Sequence, residues 1–321
     1  MLSLSRTKQL SVIRYAPSSR GAWDTFVDAS RNGTFLFRRD YMEYHRERFH
    51  DFSLIITTGE NLSALFPANR DGDTVTSHAG LTFGGLILGR RATAERVAAM
   101  LSAILELLRA EGIRTLVYKT VPTIYHQAPA EEDRYALFRF GAQVVRRDVL
   151  TVICPMFPWQ PTPKRRWSWN RAQRLKGVAV GPSQDWAGYW RVLGDRLREH
   201  YGVSPVHSLE EITSLAAKFP AAIRLLTATI NGEVAAGAVL YESARVVHTQ
   251  YLASNADARA YGLLDLVLRS AIEYARMTGK WFDFGSSTQR DGKYLNGGLT
   301  HYKESFGGRT VVQDSYRLDL T

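Results

Sequence analysis

Cysteine, metal-ligand spacing and long apolar runs are all scarce in this sequence. One cysteine, Cys154, stands among 321 residues, which excludes an intrachain disulfide and any cysteine-rich metal site. The eight histidines show no paired spacing such as His-Glu-x-x-His, so no metal is expected. Nowhere do about eighteen uninterrupted apolar residues occur together, and the opening run MLSLSRTKQLSVIRY lacks an apolar core ahead of a small-residue cleavage site. The expectation is a cytoplasmic chain, neither secreted nor embedded in a membrane.

What is present is enough apolar material, 45% of residues, for a sizeable core, and enough length for two domains. A net charge of +10 favours anionic partners: nucleic acid, a membrane surface, or nucleotide and coenzyme phosphates. The basic residues are spread along the chain, and no zinc-finger or basic-zipper spacing occurs, which argues against nucleic acid.

Two halves of the chain carry the same order of local signals about 170 residues apart. In the second half, Ile223 to Ile230 and Val234 to Tyr241 are β-prone and flank Asn231-Gly232-Glu233, a tight hairpin signal because Asn-Gly tolerates positive φ. A short turn, Glu242-Ser243-Ala244, leads to a third strand, Val246 to Ala253. A polar loop, Ser254 to Tyr261, precedes an amphipathic helix carrying Leu263, Leu266, Val267, Ile272 and Ala275 and ending at Gly279, after which Trp281 to Phe284 is a strand. The first half repeats this order: strands Phe52 to Thr57 and Leu62 to Ala68, strand Thr74 to Leu88 with glycine breaks, helix Ala94 to Ala110, strand Thr115 to Lys119. Aromatic-bearing helices, near Trp23 to Ala29 and Trp186 to Leu197, precede the two copies. Prolines mark Met156 to Pro163 as a linker, so the expected domains are residues 1–155 and 164–321, joined by 156–163.

Meander, helix, strand resembles the core of the acetyltransferase superfamily abbreviated GNAT, and its duplication resembles Fem-type aminoacyltransferases and nucleotide-sugar N-acyltransferases. The segments RRDYMEYHRERFHDF (Arg38 to Phe52), SHAGLTFGGLIL (Ser77 to Leu88), VPTIYHQAPAEEDRYALF (Val121 to Phe138) and LNGGLTHYKESFGG (Leu295 to Gly308) carry the resemblance over nearly the whole chain. It implies an α/β (α+β) fold of two tandem GNAT-like domains, each a mixed, mostly antiparallel sheet flanked by helices. It also implies an acyl-coenzyme A co-substrate, bound where main-chain N–H groups at a helix N-terminus hold pyrophosphate. The family pattern, Arg or Gln, two residues, Gly, one residue, Gly or Ala, matches Arg259-Ala260-Tyr261-Gly262-Leu263 and then departs at Leu264. The corresponding first-half loop, Gly89 to Ala94, departs further, so only the second domain is expected to bind donor. Tyr251, Leu252 and Ala253 would offer main-chain groups to the pantetheine arm.

Acyl transfer to an amine needs a group to take the amine proton and donors toward the developing oxyanion. His248, Asp283 and Tyr302 are the catalytic candidates. His248 could accept the amine proton, the usual work of a histidine, or could equally be a satisfied strand histidine; Asp283 could hold a substrate ammonium or cap a loop. Lys303, in a substrate-facing loop from Gly285 to Gly308, and His78, Phe83, Lys119 and Tyr125 on the first domain, are candidate acceptor-binding residues, the latter four as a wall across an interdomain cleft. The basic run from Lys164 to Arg171, continuing to Arg174 and Lys176, carries two tryptophans. It reads either as a phosphate and base-stacking surface or as a solvated helix face with its tryptophans turned inward.

The expected activity is transfer of an acyl group, other than aminoacyl, from acyl-CoA to the amine of a nucleotide-linked amino sugar for surface polysaccharide. The alternatives are a Fem-type peptidoglycan aminoacyltransferase that takes aminoacyl-tRNA, and a duplicated, non-catalytic binding module. No membrane partner is expected, no nucleic acid outside the tRNA-dependent alternative, and oligomeric state stays open.

Overall fold

The Asn231-Gly232 step makes the hairpin that its sequence predicts, with φ of 51° at Asn231 and 88° at Gly232, the two left-handed residues that a twisted two-residue turn requires. The computed structural model describes residues 9–320. Two units result: the described residues up to Arg147, joined by those from Gln313 onward, form one, and Asp148–Val312 the other.

In the first unit the order is β1 (Leu10–Arg14), α1 (Arg20–Ala29), α2 (Arg39–Met42), β2 (Leu54–Thr58), β3 (Asn61–Phe66), β4 (Asn69–Asp71), β5 (Thr74–Thr76), β6 (Ile87–Leu88), α3 (Ala94–Ala110), β7 (Thr115–Lys119) and α4 (Glu132–Arg139). Strand β8 (Gln143–Ile153) leads into the second unit, which holds α5 (Pro163–Gln173), β9 (Val178–Ser183), α6 (Trp186–Tyr201), α7 (Leu209–Lys218), β10 (Ile223–Ile230), β11 (Glu233–Glu242), β12 (Val246–Ser254), α8 (Ala256–Tyr261), α9 (Leu263–Met277), β13 (Trp281–Ser286), β14 (Thr288–Gln289), β15 (Tyr294–Leu295) and α10 (Gly297–Glu304). The last strand, β16 (Arg309–Asp319), sets its C-terminal residues against β7 in the first unit.

The first unit has an antiparallel sheet in the order β1-β2-β3-β6 and a second run, β4-β5-β7-β16, in which only β5 and β7 are parallel. In the second unit the order is β8-β13-β12-β11-β10-β9, parallel only between β12 and β13. One long helix crosses each core. Val97, Leu101, Ile104, Leu105 and Leu108 of α3 are buried, as are Leu263, Leu266, Val267, Ala271 and Ile272 of α9. Each such valine, leucine or isoleucine contributes about 1.5–3 kcal/mol, so these two stripes hold their units together.

Three expectations change. Thr74 to Leu88 is extended only at its ends, because His78 takes φ 64° and Gly84 passes so close to the Ser77 carbonyl that no side chain fits there. The polar loop Ser254 to Tyr261 contains α8, started by the Asn255 side chain accepting from the Ala258 N–H at 2.9 Å. The glycine-rich segment after Gly285 contains α10, started by Asn296 accepting from Leu299 at 3.0 Å. Asparagine capping outweighs the loop composition in both places.

A buried carboxyl gives the first unit a pH dependence. Asp133 accepts from the Tyr118 hydroxyl at 2.6 Å, and burial raises its pKa to about 6 against the hydrogen bonds from Tyr118 and the Arg134 backbone. A raised carboxyl pKa favours the protonated folded state, so its contribution is complete below pH ~4 and is lost as pH climbs through ~6. Relative to Asp133→Asn, whose amide does not titrate, wild-type stability should fall by up to about 3 kcal/mol between those limits. Urea unfolding of both proteins at several pH values checks this; a pH-independent difference would refute it.

Candidate functional site

Strands β12 and β13 pair only from Val246 to His248 against Trp281 to Asp283. Beyond that point β12 runs on beside β11 to Ser254, with Gln250 as an extra, bulged residue between the partners of Val239 and Leu240. A bulge bends and twists its strand. Strand β13 swings away at Gly285, where φ is 73°, a conformation that costs glycine little and other residues about 1–2 kcal/mol. The two strands therefore open like a fork, and Tyr251, Leu252 and Ala253 lie on the β12 prong beyond the last pair.

His248 and Asp283 are that last pair. Nδ1 of His248 lies 3.0 Å from Oδ2 of Asp283, while Oδ1 of Asp283 accepts the Gly285 N–H at 2.7 Å. Asp283 is 1% exposed, and its carboxylate faces the imidazole. Its hold on Nδ1 leaves Nε2 as the ring nitrogen available to a substrate. A Cβ on Gly285 would stand 3.2 Å from Cε1 of His248; glycine there serves both the turn and the ring.

Lys303 closes the other prong. It is 4% exposed, and its ammonium donates to the carbonyls of Gly285 at 2.9 Å and Ser286 at 2.6 Å. Burial lowers its pKa to about 8, against the opposing pull of Asp283. Thus His248, Asp283, Gly285 and Lys303 converge from β12, β13 and α10.

Tyr302 is directed elsewhere. Its hydroxyl donates to Asp265 at 3.0 Å, Asp265 also pairs with Arg165 at 2.8 Å, and the Arg165 guanidinium lies 4.3 Å above the Tyr302 ring. Burial, then the Asp265 charge, raises the tyrosine pKa well above its usual range. This closed network engages the hydroxyl of Tyr302, one of the three catalytic candidates, within the chain and ties α5, α9 and α10 together.

The residues chosen as a phosphate cradle are also engaged with their own chain. The Arg259 guanidinium donates to the Ser254 carbonyl at 2.7 Å. Gly262 takes φ 80° between α8 and α9, and any Cβ there would collide with Ser168 Oγ of α5. Ala260 accepts from Arg171, Tyr261 is largely exposed, and Leu263 is wholly buried. Asp265 already supplies a carboxylate to the first turn of α9. Glycine at 262 is thus accounted for by helix packing.

In the first unit, Phe83 and Tyr125 are buried against each other with ring centroids 4.6 Å apart. His78 is 3% exposed and stacks on His45 at 5.4 Å; burial, then the charges of His45 and Lys119, lower its pKa to about 3. The Lys119 ammonium reaches the Leu81 carbonyl.

Sequence reasoning missed Gly285 as a steric requirement and Asp265 and Arg165 as a buried pair. A glycine two residues after a strand carboxylate was the available signal for the first; no local pattern joins residues one hundred positions apart.

Residues 165–304 match a family model described as an acetyltransferase (GNAT) domain. FemX superposes with TM-score 0.67 at 12% identity over 96% of this chain and 97% of that one. The C-terminal domain of a putative lysylphosphatidylglycerol synthetase from Agrobacterium fabrum gives 0.63 at 14% identity, covering 94% and 92%. A tandem GNAT protein from the clavulanic acid biosynthesis pathway gives 0.50 at 12% identity, covering 98% and 99%. No curated protein matches the sequence. At these identities the likeness concerns the fold: a mixed α/β chain of tandem GNAT type.

Proposed function

We propose that the second unit, whose residues 165–304 match a family model described as an acetyltransferase (GNAT) domain, transfers an acyl group from acyl-CoA to the amine of a nucleotide-linked amino sugar, with His248 as general base. The observation that carries this reading is the His248–Asp283 pair at the fork of β12 and β13. The fork suits an extended donor arm, since β12 beyond His248 has no pairing with β13 among the described residues. The thioester arrives activated, so no covalent intermediate on the protein is required.

As the amine nitrogen bonds to the acyl carbon and the carbon–sulfur bond breaks, His248 takes the amine proton at Nε2 and Asp283 steadies the resulting imidazolium. Lys303 and the Gly285 turn hold the β13 prong in place. A chain of net charge +10 suits two phosphorylated substrates, and a nucleotide-linked amino sugar is one acceptor class that carries a free amine together with a diphosphate.

Calorimetric titration with coenzyme A and several acyl-CoAs, followed by acyl transfer to nucleotide-linked amino sugars, tests this. Binding with a chain preference and N-acylated sugar are the expected results. No binding at millimolar coenzyme A, with transfer from aminoacyl-tRNA instead, would reject the donor.

A further inference from the structure

Helix α5 has two differently used faces. Inward, Arg165 pairs with Asp265 at 2.8 Å, and Trp169, 5% exposed, stacks on Trp159 at 5.5 Å. Outward, Lys164, Trp167, Arg171 and Arg174 fall at i, i+3, i+7 and i+10, within an arc of about 80° on a helix of 100° per residue. The helix contains no acidic residue.

That outward stripe has features that packing leaves unexplained. Trp167 is 61% exposed and carries the Arg171 guanidinium 4.8 Å from its ring centroid. Arg171 bonds the Ala260 carbonyl, yet its Nε is buried with no hydrogen-bond partner. Lys164 and Arg174 are exposed, and neither has an ion-pair partner among the described residues. Holding an indole in water beside three cations costs solvation and charge repulsion, and a flat base attached to phosphates relieves both.

The stripe also has a definite neighbour. Arg171 contacts Ala260, and Ser168, beside it on the helix, packs on Gly262, so this face adjoins the α8–α9 junction whose own glycine and arginine are engaged within the chain. We propose that the α5 stripe, in place of the Arg259–Leu263 loop, binds the 3′-phosphorylated adenosine diphosphate end of the coenzyme. Trp167 stacks on the adenine, while Lys164, Arg171 and Arg174 pair with phosphates. This rests on the acyl-CoA reading above and specifies where that donor's nucleotide lies.

The test measures binding of coenzyme A and dephospho-coenzyme A by calorimetry, and turnover with S-acetyl-pantetheine, to wild type, Trp167→Ala and the double variant Lys164→Glu/Arg174→Glu. The three altered positions are exposed, and unchanged circular dichroism confirms folding. Wild type should prefer coenzyme A over the dephospho form by about tenfold, and each variant should lose about tenfold to a hundredfold in coenzyme affinity and most of that preference. Turnover with acetyl-pantetheine, which has no nucleotide, should be unchanged. Equal coenzyme affinity in wild type and variants overturns this inference alone. Absence of coenzyme binding to wild type overturns it together with the donor. An RNA hairpin ending in CCA whose binding is abolished by the double variant, while coenzyme binding is untouched, also overturns it.

Discussion

His248→Gln should lower kcat by about a hundredfold to ten-thousandfold, the usual contribution of a positioned general base, with an unchanged melting temperature. Glutamine fills similar space and can still face Asp283, but it cannot accept the amine proton. KM for the acyl donor should change little, because the imidazole acts on the acceptor. Asp283→Asn should reproduce part of the loss by disturbing the tautomer and removing the charge beside the imidazolium. Steady-state kinetics from pH 5 to pH 9 decide it. A loss under tenfold for His248→Gln would return the histidine to a structural role, and a larger loss for Asp283→Asn than for His248→Gln would make the carboxylate the base.

Asp265→Ala should destabilise the second unit by about 3–5 kcal/mol, the range found when one partner of a buried ion pair is removed. Side-chain exposure is 16% for Arg165 and 8% for Asp265, so the abandoned guanidinium cannot turn fully to water. The Tyr302 hydroxyl would lose its acceptor as well. Ser305, which accepts from Arg165 at 2.6 Å, softens the loss and places the expected value at the lower end. Replacing the pair together, Arg165→Met with Asp265→Leu, should recover much of the stability, since no buried charge is then left alone. The urea midpoint reports both. A loss below about 1 kcal/mol for Asp265→Ala would mean that Arg165 finds other partners. Tyr302→Phe should cost about 1 kcal/mol and leave kcat nearly unchanged; a large fall in kcat would restore the tyrosine to the chemistry.

The elements were legible where periodicity and turn chemistry agree. Asn231-Gly232, the 3.6-residue stripe of α3 and the stripe of α9 each state their structure within a few residues. Helices α8 and α10 were hidden because each is short, begins at a capping asparagine and lies in a segment whose composition suits a loop. His248 and Asp283 were named as separate candidates, thirty-five positions apart. Nothing local says that one would hold the other.

The sequence by itself determined the repeated order of meander, helix and strand, because hydrophobic period and turn residues act over a few neighbours and do not depend on the rest of the chain. It also determined which residue types were available for proton transfer. The tertiary structure alone decided their partners. It set Asp283 behind His248 at a strand fork, turned Tyr302 toward Asp265, and spent Gly262 on contact with α5. Those partnerships come from which groups burial brings within hydrogen-bonding distance, and that is fixed by the packing of elements far apart in the chain.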